Sequence, residues 1–237
     1  MTVEILYPCV ANLFGEAVEI SFLEKCLPEA EFIKTQLNDA PAFLNKKVDM
    51  IFMGPTTEKY QEIIAKKLAP YKEKITENIK NGTVFLLTGN AIEVFGKYIE
   101  DDDSNKIKTL SVIGTYAKRR MMKRSNSLFL GEFEGMKIVG FKSQFSHSYG
   151  ENENEGLFKK IKGTGINPES SFEGIRINNF FATYLLGPIL ILNPDFTKYL
   201  FSLLGKNDIT LPFEDDITKA YKKRLAEFEN DDTVFFG

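Results

Sequence analysis

The strongest indication of the fold lies in residues 84–97, which read Val84-Phe85-Leu86-Leu87-Thr88-Gly89-Asn90-Ala91-Ile92-Glu93-Val94-Phe95-Gly96-Lys97. An apolar strand pattern runs into a glycine turn and then directly into a helical pattern. This is the pattern of a nucleophile elbow, the sharp strand-to-helix turn on which many enzymes hold a catalytic Ser or Cys in a strained backbone conformation. Gly89 occupies the tip of the turn in this chain. The sequence therefore predicts the frame of a catalytic site that lacks its nucleophile.

Strand and helix patterns alternate through the first half of the chain, on both sides of this turn. Strands are predicted at residues 3–7, 31–36, 48–53 and 83–87, and helices at 13–27, 58–68, 70–80 and from the turn to about Ile99. In the first helix, the apolar face is assigned to Val18, Phe22, Leu23 and Cys26. Such alternation predicts an α/β fold with an open, mostly parallel sheet and helices on both faces.

The second half of the chain has shorter strand patterns separated by Gly, Asn and Ser. They lie at residues 108–113, 127–133, 137–141, 174–178 and 181–186, and two helices follow at 195–204 and 214–228. Residues 151–156 have the composition of an exposed loop. This half predicts an antiparallel extension of the sheet. No repeat or linker divides the chain, so we expect a single domain over residues 1–237.

The composition of the chain argues against nucleic acid and membranes as its binding partners. The chain has 237 residues, 43% of them hydrophobic, with a formal net charge of −3 and a pI near 5.5. Net acidity argues against nucleic acid as the main partner. No apolar run approaches the roughly 20 residues that span a bilayer, and the N-terminus lacks the pattern of a signal peptide. We therefore expect a cytoplasmic protein that does not bind membranes.

Two cysteines and one histidine are the residues most easily assigned to catalysis or metal binding. Cys9 follows the first predicted strand, Cys26 lies on an apolar helix face, and His147 lies in a polar segment. A structural zinc site uses four Cys or His ligands, so no metal site is expected. Strand carboxyl ends share one edge of an open sheet, which makes a substitute dyad of Cys9 and His147 conceivable. The alternative is a small buried thiol and a solvent-facing histidine.

Four segments, in this order, resemble the class I glutamine amidotransferases of the cobyric acid synthase (CobB/CobQ-like) type. Within that family they are similar to the glutaminase subunits (GatD) of the complex that amidates lipid II, which work beside a Mur-ligase-like protein. The segments are Leu6-Tyr7-Pro8 with Asn12-Leu13-Phe14-Gly15-Glu16, then Ile51-Phe52-Met53-Gly54-Pro55-Thr56-Thr57-Glu58-Lys59-Tyr60-Gln61, the turn at Gly89, and Ala182-Thr183-Tyr184-Leu185-Leu186-Gly187-Pro188-Ile189-Leu190. The resemblance implies a flavodoxin-like amidotransferase sheet and a place in cell wall or cofactor biosynthesis.

The resemblance also locates the family's catalytic positions, and this chain departs from the family at each of them. The nucleophilic Cys position falls on Gly89, the following Gln position on Glu93, and the general-base His position on Leu186. The family's oxyanion strand keeps Gly54 but continues with Pro55, which has no N–H to donate. Glutamine hydrolysis needs a thiolate and an imidazole. We therefore expect no glutaminase activity and no cofactor.

A remnant of the pocket remains as a second hypothesis. Polar and small residues expected around the old site are Gly54, Thr56, Thr57, Gly89, Asn90, Glu93 and Gln144. They favour either an enzyme or a binding protein for an amide or amino-acid-like small molecule. The alternative is a filled pocket with Glu93 as an ordinary surface residue. A third hypothesis is an oligomeric interaction protein with a phenylalanine-rich surface.

The leading hypothesis is a binding or regulatory subunit. Its partner is expected to be a Mur-ligase-like or other amide-forming synthetase, or a second copy of the chain. One dense basic run, Lys118-Arg119-Arg120-Met121-Met122-Lys123-Arg124, indicates either an anionic partner or a solvated hairpin. The sequence does not decide between these two interpretations.

Overall fold

The computed structural model describes residues 1–150 and 152–236. Its helices are α1 (Glu16–Cys26), α2 (Glu58–Leu68), α3 (Lys72–Lys80), α4 (Ala91–Phe95), α5 (Ile189–Leu192), α6 (Pro194–Leu203) and α7 (Glu214–Glu229). Its strands are β1 (Thr2–Leu6), β2 (Glu31–Thr35), β3 (Met50–Met53), β4 (Val84–Leu87), β5 (Tyr98–Glu100), β6 (Lys106–Lys108), β7 (Tyr116–Arg119), β8 (Ser125–Phe133), β9 (Met136–Gln144), β10 (Ser146–Tyr149), β11 (Gly156–Gly163), β12 (Phe172–Ile177) and β13 (Phe180–Ala182). Short 3-10 turns lie at Leu13–Gly15, Ala42–Leu44, Ala69–Tyr71 and Glu153–Glu155.

The larger sheet confirms the predicted α/β class. Within the described residues its strand order is β2-β1-β3-β4-β13-β12-β11-β8-β9. The strands from β2 to β13 are parallel, whereas those from β12 to β9 pair antiparallel. The first half of the chain thus builds most of the parallel part of the sheet, and the second half supplies its last parallel strand, β13, and the antiparallel extension.

Side-chain alternation along the central strands explains why helices cover both faces. Phe52 and Leu86 pack into one core cluster with residues of α1 and α6. Ile51 and Phe85 point to the other face and pack with residues of α2 and α3. Successive side chains of a strand point to opposite faces, so a strand that is apolar throughout is covered on both. Each fully buried side chain of this size contributes about 1.5–3 kcal/mol.

The helix after the turn is shorter than predicted. The sequence pattern extended it to about Ile99, but α4 ends at Phe95, and the chain turns at Gly96 into β5. The carbonyl groups at the end of α4 accept from a later segment: Leu110 N–H bonds to Val94 O at 2.9 Å, and Val112 N–H to Phe95 O at 2.8 Å. The predicted strand at residues 108–113 was therefore wrong over most of its length, because this segment caps a helix.

Strands β5, β6, β7 and β10 form a separate small sheet that the sequence did not indicate. Its order is β10-β7-β5-β6 within the described residues. Strands β7 and β10 have only four residues each, and β11 carries three Lys and two Gly among its eight residues, so the apolar pattern of all three is weak. Of the predicted loop at residues 151–156, Glu151 lies outside the described residues, and the remainder forms a 3-10 turn and the start of β11.

Three further predictions need correction. Val18 was assigned to the buried face of α1 but is 52% exposed, because the buried face carries Glu16 and Glu19. The strand predicted at residues 181–186 ends at Ala182, because the N–H groups of the two residues after Thr183 bond to side chains: Tyr184 N–H donates to Glu173 and Leu185 N–H to Thr183. The surface is not phenylalanine-rich, since 14 of the 21 phenylalanines are buried.

No helix in the described part of the chain combines the length and the apolar character needed to cross a bilayer.

Candidate functional site

The predicted strand, turn and helix are formed by β4, residues 88–90 and α4. Thr88 N–H donates to Met53 O at 3.1 Å, and Gly89 N–H donates to Leu185 O at 3.2 Å, so the turn is tied to the ends of two neighbouring segments. Gly89 has φ +57°. This is the left-handed region, which glycine enters without the steric cost that a Cβ atom brings.

The space that a side chain at Gly89 needs is occupied. An ideal Cβ atom on Gly89 would lie 2.5 Å from Pro55 Cβ and 3.0 Å from Leu186 Cδ2. Nonbonded carbon atoms attract best at about 3.5–4.0 Å, so the shorter contact is a severe overlap. Pro55 and Leu186 stand at the oxyanion-strand and general-base positions of the resemblance. The three departures therefore pack against one another as a unit.

The backbone N–H of Thr56, beside the turn, is also engaged. Asn90 Oδ1 accepts from Thr56 N–H at 2.9 Å, and Asn90 Nδ2 donates to Thr56 O at 2.7 Å. Pro55 has no N–H, and the N–H of the next residue is taken by Asn90. An oxyanion that developed at this position would find no free N–H at residue 55 or residue 56.

Glu93 lies at the centre of a buried polar network. It is 2% exposed and accepts from Gln61 Nε2 at 3.0 Å and from Tyr184 OH at 3.1 Å. Tyr184 OH in turn shares a hydrogen bond of 2.8 Å with Ser148 Oγ. Burial raises the pKa of Glu93 to about 7, against the opposing effects of the Arg119 charge and of these hydrogen bonds. Glu93 is thus a buried carboxyl group with a pKa near 7. The interpretation of Glu93 as an ordinary surface glutamate is wrong.

Part of the basic run is used inside this network. Arg119 is buried and donates to Gln61 Oε1 at 2.7 Å and to Glu62 Oε1 at 3.0 Å. Arg120 pairs with Glu100 at 2.9 Å. Both guanidinium groups therefore serve the fold. The exposed basic side chains of the run are Lys123 and Arg124, whereas Lys118 is half-buried.

A cavity of about 220 Å³ lies beside the turn. Six of the residues expected there line it: Thr56, Thr57, Gly89, Asn90, Glu93 and Gln144. Gly54 is placed elsewhere, since a Cβ atom on it would meet Glu16 Cγ at 2.7 Å and Ala11 O at 2.8 Å. The cavity is thus open, and Leu186 fills only the part of it next to Gly89, where a nucleophile would lie.

Gln144 carries the cavity's unsatisfied acceptor. It is 6% exposed, and its Nε2 donates to Ser146 O at 2.6 Å and contacts His147 Nδ1 at 3.1 Å. Its Oε1 has no hydrogen-bond partner among the described residues. A buried acceptor without a donor costs free energy that a bound ligand can recover.

The structure does not bring the substitute dyad together. Cys9 is exposed, and neither Cys9 nor His147 lines the cavity. Burial, and secondarily the charge of Lys142, lowers the pKa of His147 to about 4. Its Nδ1 faces Gln144, and the described residues show no hydrogen bond between it and a thiol.

Two buried glutamates on α1, which sequence reasoning missed, hold the segment after Leu186. Glu16 Oε1 accepts from Gly187 N–H at 2.9 Å, and Glu19 Oε1 accepts from Leu190 N–H at 2.8 Å. Burial raises the pKa of Glu16 to about 7 and raises that of Glu19, which the neighbouring Glu16 carboxyl raises further. Glu16, Gln61 and Tyr184 all lie inside the segments that carry the family resemblance, and this position in the sequence could have marked them as residues of the site.

A larger and more open groove of about 740 Å³ lies between the end of α1 and the loop after α6. Its charged residues Glu29, Lys206 and Asp208 are all exposed. A binding site is recognised by convergent polar groups rather than by volume alone. The cavity beside the turn, with Glu93 and Gln144, is therefore the candidate site.

Residues 2–193 match the model of the CobB/CobQ-like glutamine amidotransferase domain. The chain belongs to this family. The match includes β1, the turn at Gly89, the network around Glu93 and the segment that carries Leu186. Family membership therefore rests on the same part of the molecule that forms the candidate site.

Two curated relatives of this CobB/CobQ-like chain are similar over most of its length. It is 27% identical over 226 residues to "Lipid II isoglutaminyl synthase (glutamine-hydrolyzing) subunit GatD" of Streptococcus pneumoniae, covering 90% of this chain and 85% of the relative. The protein of the same name from Staphylococcus aureus is 26% identical over 165 residues, covering 70% of this chain and 67% of the relative.

Solved structures show the same fold at low sequence identity. A "Crystal structure of glutamine amidotransferase" superimposes with a TM-score of 0.55 at 13% identity and covers 85% of this chain and 98% of that one. The "Structure of PurLQS from Thermotoga maritima" gives a TM-score of 0.54 at 12% identity, with 94% and 98% covered. These likenesses establish the fold alone.

Proposed function

We propose that this CobB/CobQ-like chain has lost glutamine hydrolysis and serves as a binding or regulatory subunit of an amide-forming synthetase. One observation carries the proposal: the volume of a nucleophile at Gly89 is filled by Pro55 and Leu186, with 2.5 Å from the ideal Cβ atom to Pro55 Cβ. A cysteine there requires the turn or both neighbours to move. The engagement of Thr56 N–H by Asn90 removes a backbone donor beside the turn as well.

The partner is inferred from the relatives. Both curated relatives are named as a subunit of a synthase, which supports a synthetase partner for this chain. The finer expectation is a Mur-ligase-like subunit, with self-association as the alternative. Coexpression of the chain with a Mur-ligase-like protein of the same genome, followed by size-exclusion chromatography with light scattering, tests this. We expect a stable hetero-complex; a chain that remains a monomer with that protein, or forms a homo-oligomer only, contradicts it.

Loss of hydrolysis is tested by ammonia release. The purified chain, alone and with the coexpressed partner, is incubated with L-glutamine, and ammonia is measured by a glutamate dehydrogenase coupled assay. The Streptococcus pneumoniae relative, assayed as a complete synthase, is the positive control. We expect no release above the buffer rate. Glutamine turnover that survives Cys9→Ala contradicts the proposed loss of activity. Turnover that Cys9→Ala or His147→Ala abolishes also contradicts it and identifies Cys9 and His147 as the catalytic pair.

The open cavity supports a second candidate function. A space of about 220 Å³ remains, and Gln144 Oε1 lacks a donor. We propose as the alternative that the chain binds an amide or amino-acid-like small molecule, with or without chemistry. Calorimetric titration with L-glutamine tests binding, and the ammonia assay separates binding from turnover.

A further inference from the structure

The polarity of the cavity beside the turn is uneven from its inner end to its mouth. Its charged lining residues, in the part of the chain that the structure describes, are Glu58, Glu93 and Arg124. Glu93 and Gln144 are buried, whereas Arg124 is exposed. The inner end therefore presents oxygen acceptors and a carboxyl group, whereas the more exposed part of the lining carries the Arg124 guanidinium group and the half-buried Glu58 carboxylate.

The orientation of the Gln144 amide is fixed by its neighbours. Its donor atom, Nε2, lies 2.6 Å from the carbonyl oxygen of Ser146, which can only accept. The other amide atom, Oε1, must then be the oxygen, and it has no partner among the described residues. A ligand that fills this position has to bring an N–H or O–H donor.

The Glu93 carboxyl group has no direct ion pair among the described residues. Arg119, the nearest cation in its network, donates to Gln61 Oε1 at 2.7 Å and to Glu62 Oε1 at 3.0 Å. The Arg119 charge stabilises negative charge on Glu93 from a distance but is shared with Glu62, and the groups that bond Glu93 directly are neutral, among them Gln61 Nε2 and Tyr184 OH. The inner end of the cavity is therefore better matched by a positively charged nitrogen than by a neutral amide.

At the mouth, Arg124 lies over the Phe145 ring with 4.8 Å from its guanidinium carbon to the ring centroid. Within the described residues Arg124 has no acidic partner within ion-pair distance, whereas Arg119, Arg120 and Arg176 each have one. A guanidinium group held on an aromatic face is suited to bind a carboxylate.

We propose that this cavity binds a basic amino acid with its side-chain ammonium at Glu93 and Gln144 and its α-carboxylate at Arg124. The cavity then prefers an ammonium group to the primary amide of glutamine, and Glu93 is the residue that sets this preference. The inference rests on the proposed function, since it takes the cavity to be a binding site without glutamine turnover.

Three probes of similar length test the charge of the head group: L-ornithine carries an ammonium, L-glutamine a neutral amide and L-glutamate a carboxylate. Affinities are measured by isothermal titration calorimetry at pH 8 on the full chain. We expect ornithine to bind at least about tenfold more tightly than glutamine, and glutamate to bind most weakly. Glutamine binding as tightly as ornithine, or no heat from ornithine at millimolar concentration, overturns the proposal.

Substitutions assign the contacts. Glu93→Gln is expected to abolish the preference for ornithine over glutamine, Gln144→Leu to weaken both, and Arg124→Ala to weaken all three probes by the same factor. Glu29→Gln, in the exposed groove at the other end of α1, is the matched control and leaves all affinities unchanged. Retention of the ornithine preference in a folded Glu93→Gln variant refutes the role of Glu93.

A measurement on the unmodified protein covers the case in which Glu93→Gln does not fold. Between pH 6 and 8 we expect ornithine to bind several-fold more tightly as Glu93 loses its proton, whereas glutamine binding stays constant. The titratable and charged groups around Glu93 are Arg119, Tyr184, Glu58 and Arg124, with His147 behind Gln144; burial keeps Tyr184 neutral and His147 uncharged over this range. Equal pH dependence for both probes overturns the proposal. Release of ammonia from glutamine would contradict the proposed function. An order of affinities other than the expected one would contradict only the inference about the ligand.

Discussion

Gly89 is the residue at which backbone strain and packing coincide. A Cβ atom there would have to accept φ +57° and a 2.5 Å contact with Pro55 Cβ. We expect Gly89→Ala to reduce the free energy of unfolding by about 2–4 kcal/mol, the sum of a left-handed backbone cost and overpacking, measured by urea denaturation. Gly205 has φ +77° and no heavy atom within 4 Å of its ideal Cβ atom, so Gly205→Ala is the control for the backbone cost alone. Equal losses for the two variants contradict the packing argument.

The same contacts set the outcome of restoring the family's catalytic residues. Gly89→Cys with Leu186→His leaves Pro55 in the way of the new side chain, so we expect no glutamine hydrolysis from this double variant. Adding Pro55→Gly removes the overlap and supplies one N–H, and we expect the thiol introduced at position 89 to become alkylated by iodoacetamide only in this triple variant. Mass spectrometry of the labelled protein measures this. Labelling of the double variant at the rate of the triple variant contradicts the proposed obstruction.

Among the helices, α1 shows why sequence patterns mislead here. Its apolar residues suggested a buried face that includes Val18, but Val18 is exposed while Glu16 and Glu19 are fully buried. Their carboxyl groups accept the N–H groups of Gly187 and Leu190, residues 171 positions away. Binary patterning assumes that charged residues face water. It fails where a charged side chain serves a distant backbone donor, which the local sequence does not reveal.

The helix α1 therefore supports the segment after Leu186 through these carboxyl groups. Burial raises the pKa of Glu19 well above its usual range, which favours the neutral carboxyl group, and the amide of glutamine has the same shape as that neutral form. We expect Glu19→Gln to change the free energy of unfolding by less than about 1 kcal/mol at pH 6, whereas Glu19→Leu leaves the Leu190 N–H without an acceptor and should cost about 1–3 kcal/mol. Urea denaturation of both variants checks this, and equal losses would indicate that shape, and not the hydrogen bond, determines the contribution of Glu19.

Over the whole molecule, the sequence predicted the parallel part of the larger sheet better than its antiparallel part or the small sheet. The central strands β3 and β4 are apolar at every position, which is typical of strands covered on both faces. The turn at Gly89 was identified from its neighbours alone. Six of the residues expected around the turn line the cavity beside it. The network that makes the cavity polar was not predicted, since Gln61, Arg119 and Tyr184 meet only after distant elements have packed.

The buried carboxyl groups give the whole molecule a pH dependence of stability with a definite sign. The pKa values of Glu16 and Glu93 are raised to about 7 by burial, so the folded state binds their protons more tightly than the unfolded state does. Their contribution to stability is complete below about pH 4.5 and is lost as the pH rises through about 7, at about 3 kcal/mol for each group. His147 acts in the opposite direction, because its pKa is lowered to about 4, and this effect ends near pH 6.5.

We therefore expect the thermal midpoint to fall between pH 6.5 and pH 8, where only the carboxyl groups still titrate. The fall should be a few degrees, since about 1 kcal/mol corresponds to roughly 2–4 °C in a domain of this size. Differential scanning calorimetry over this range measures it. The Glu93→Gln variant removes one of the titrating groups and should show a smaller fall, whereas Glu29→Gln, at an exposed position, should behave as the unmodified chain. A midpoint that rises with pH in this window contradicts the assignment, because only groups that are protonated in the folded state and ionised in the unfolded state produce a fall.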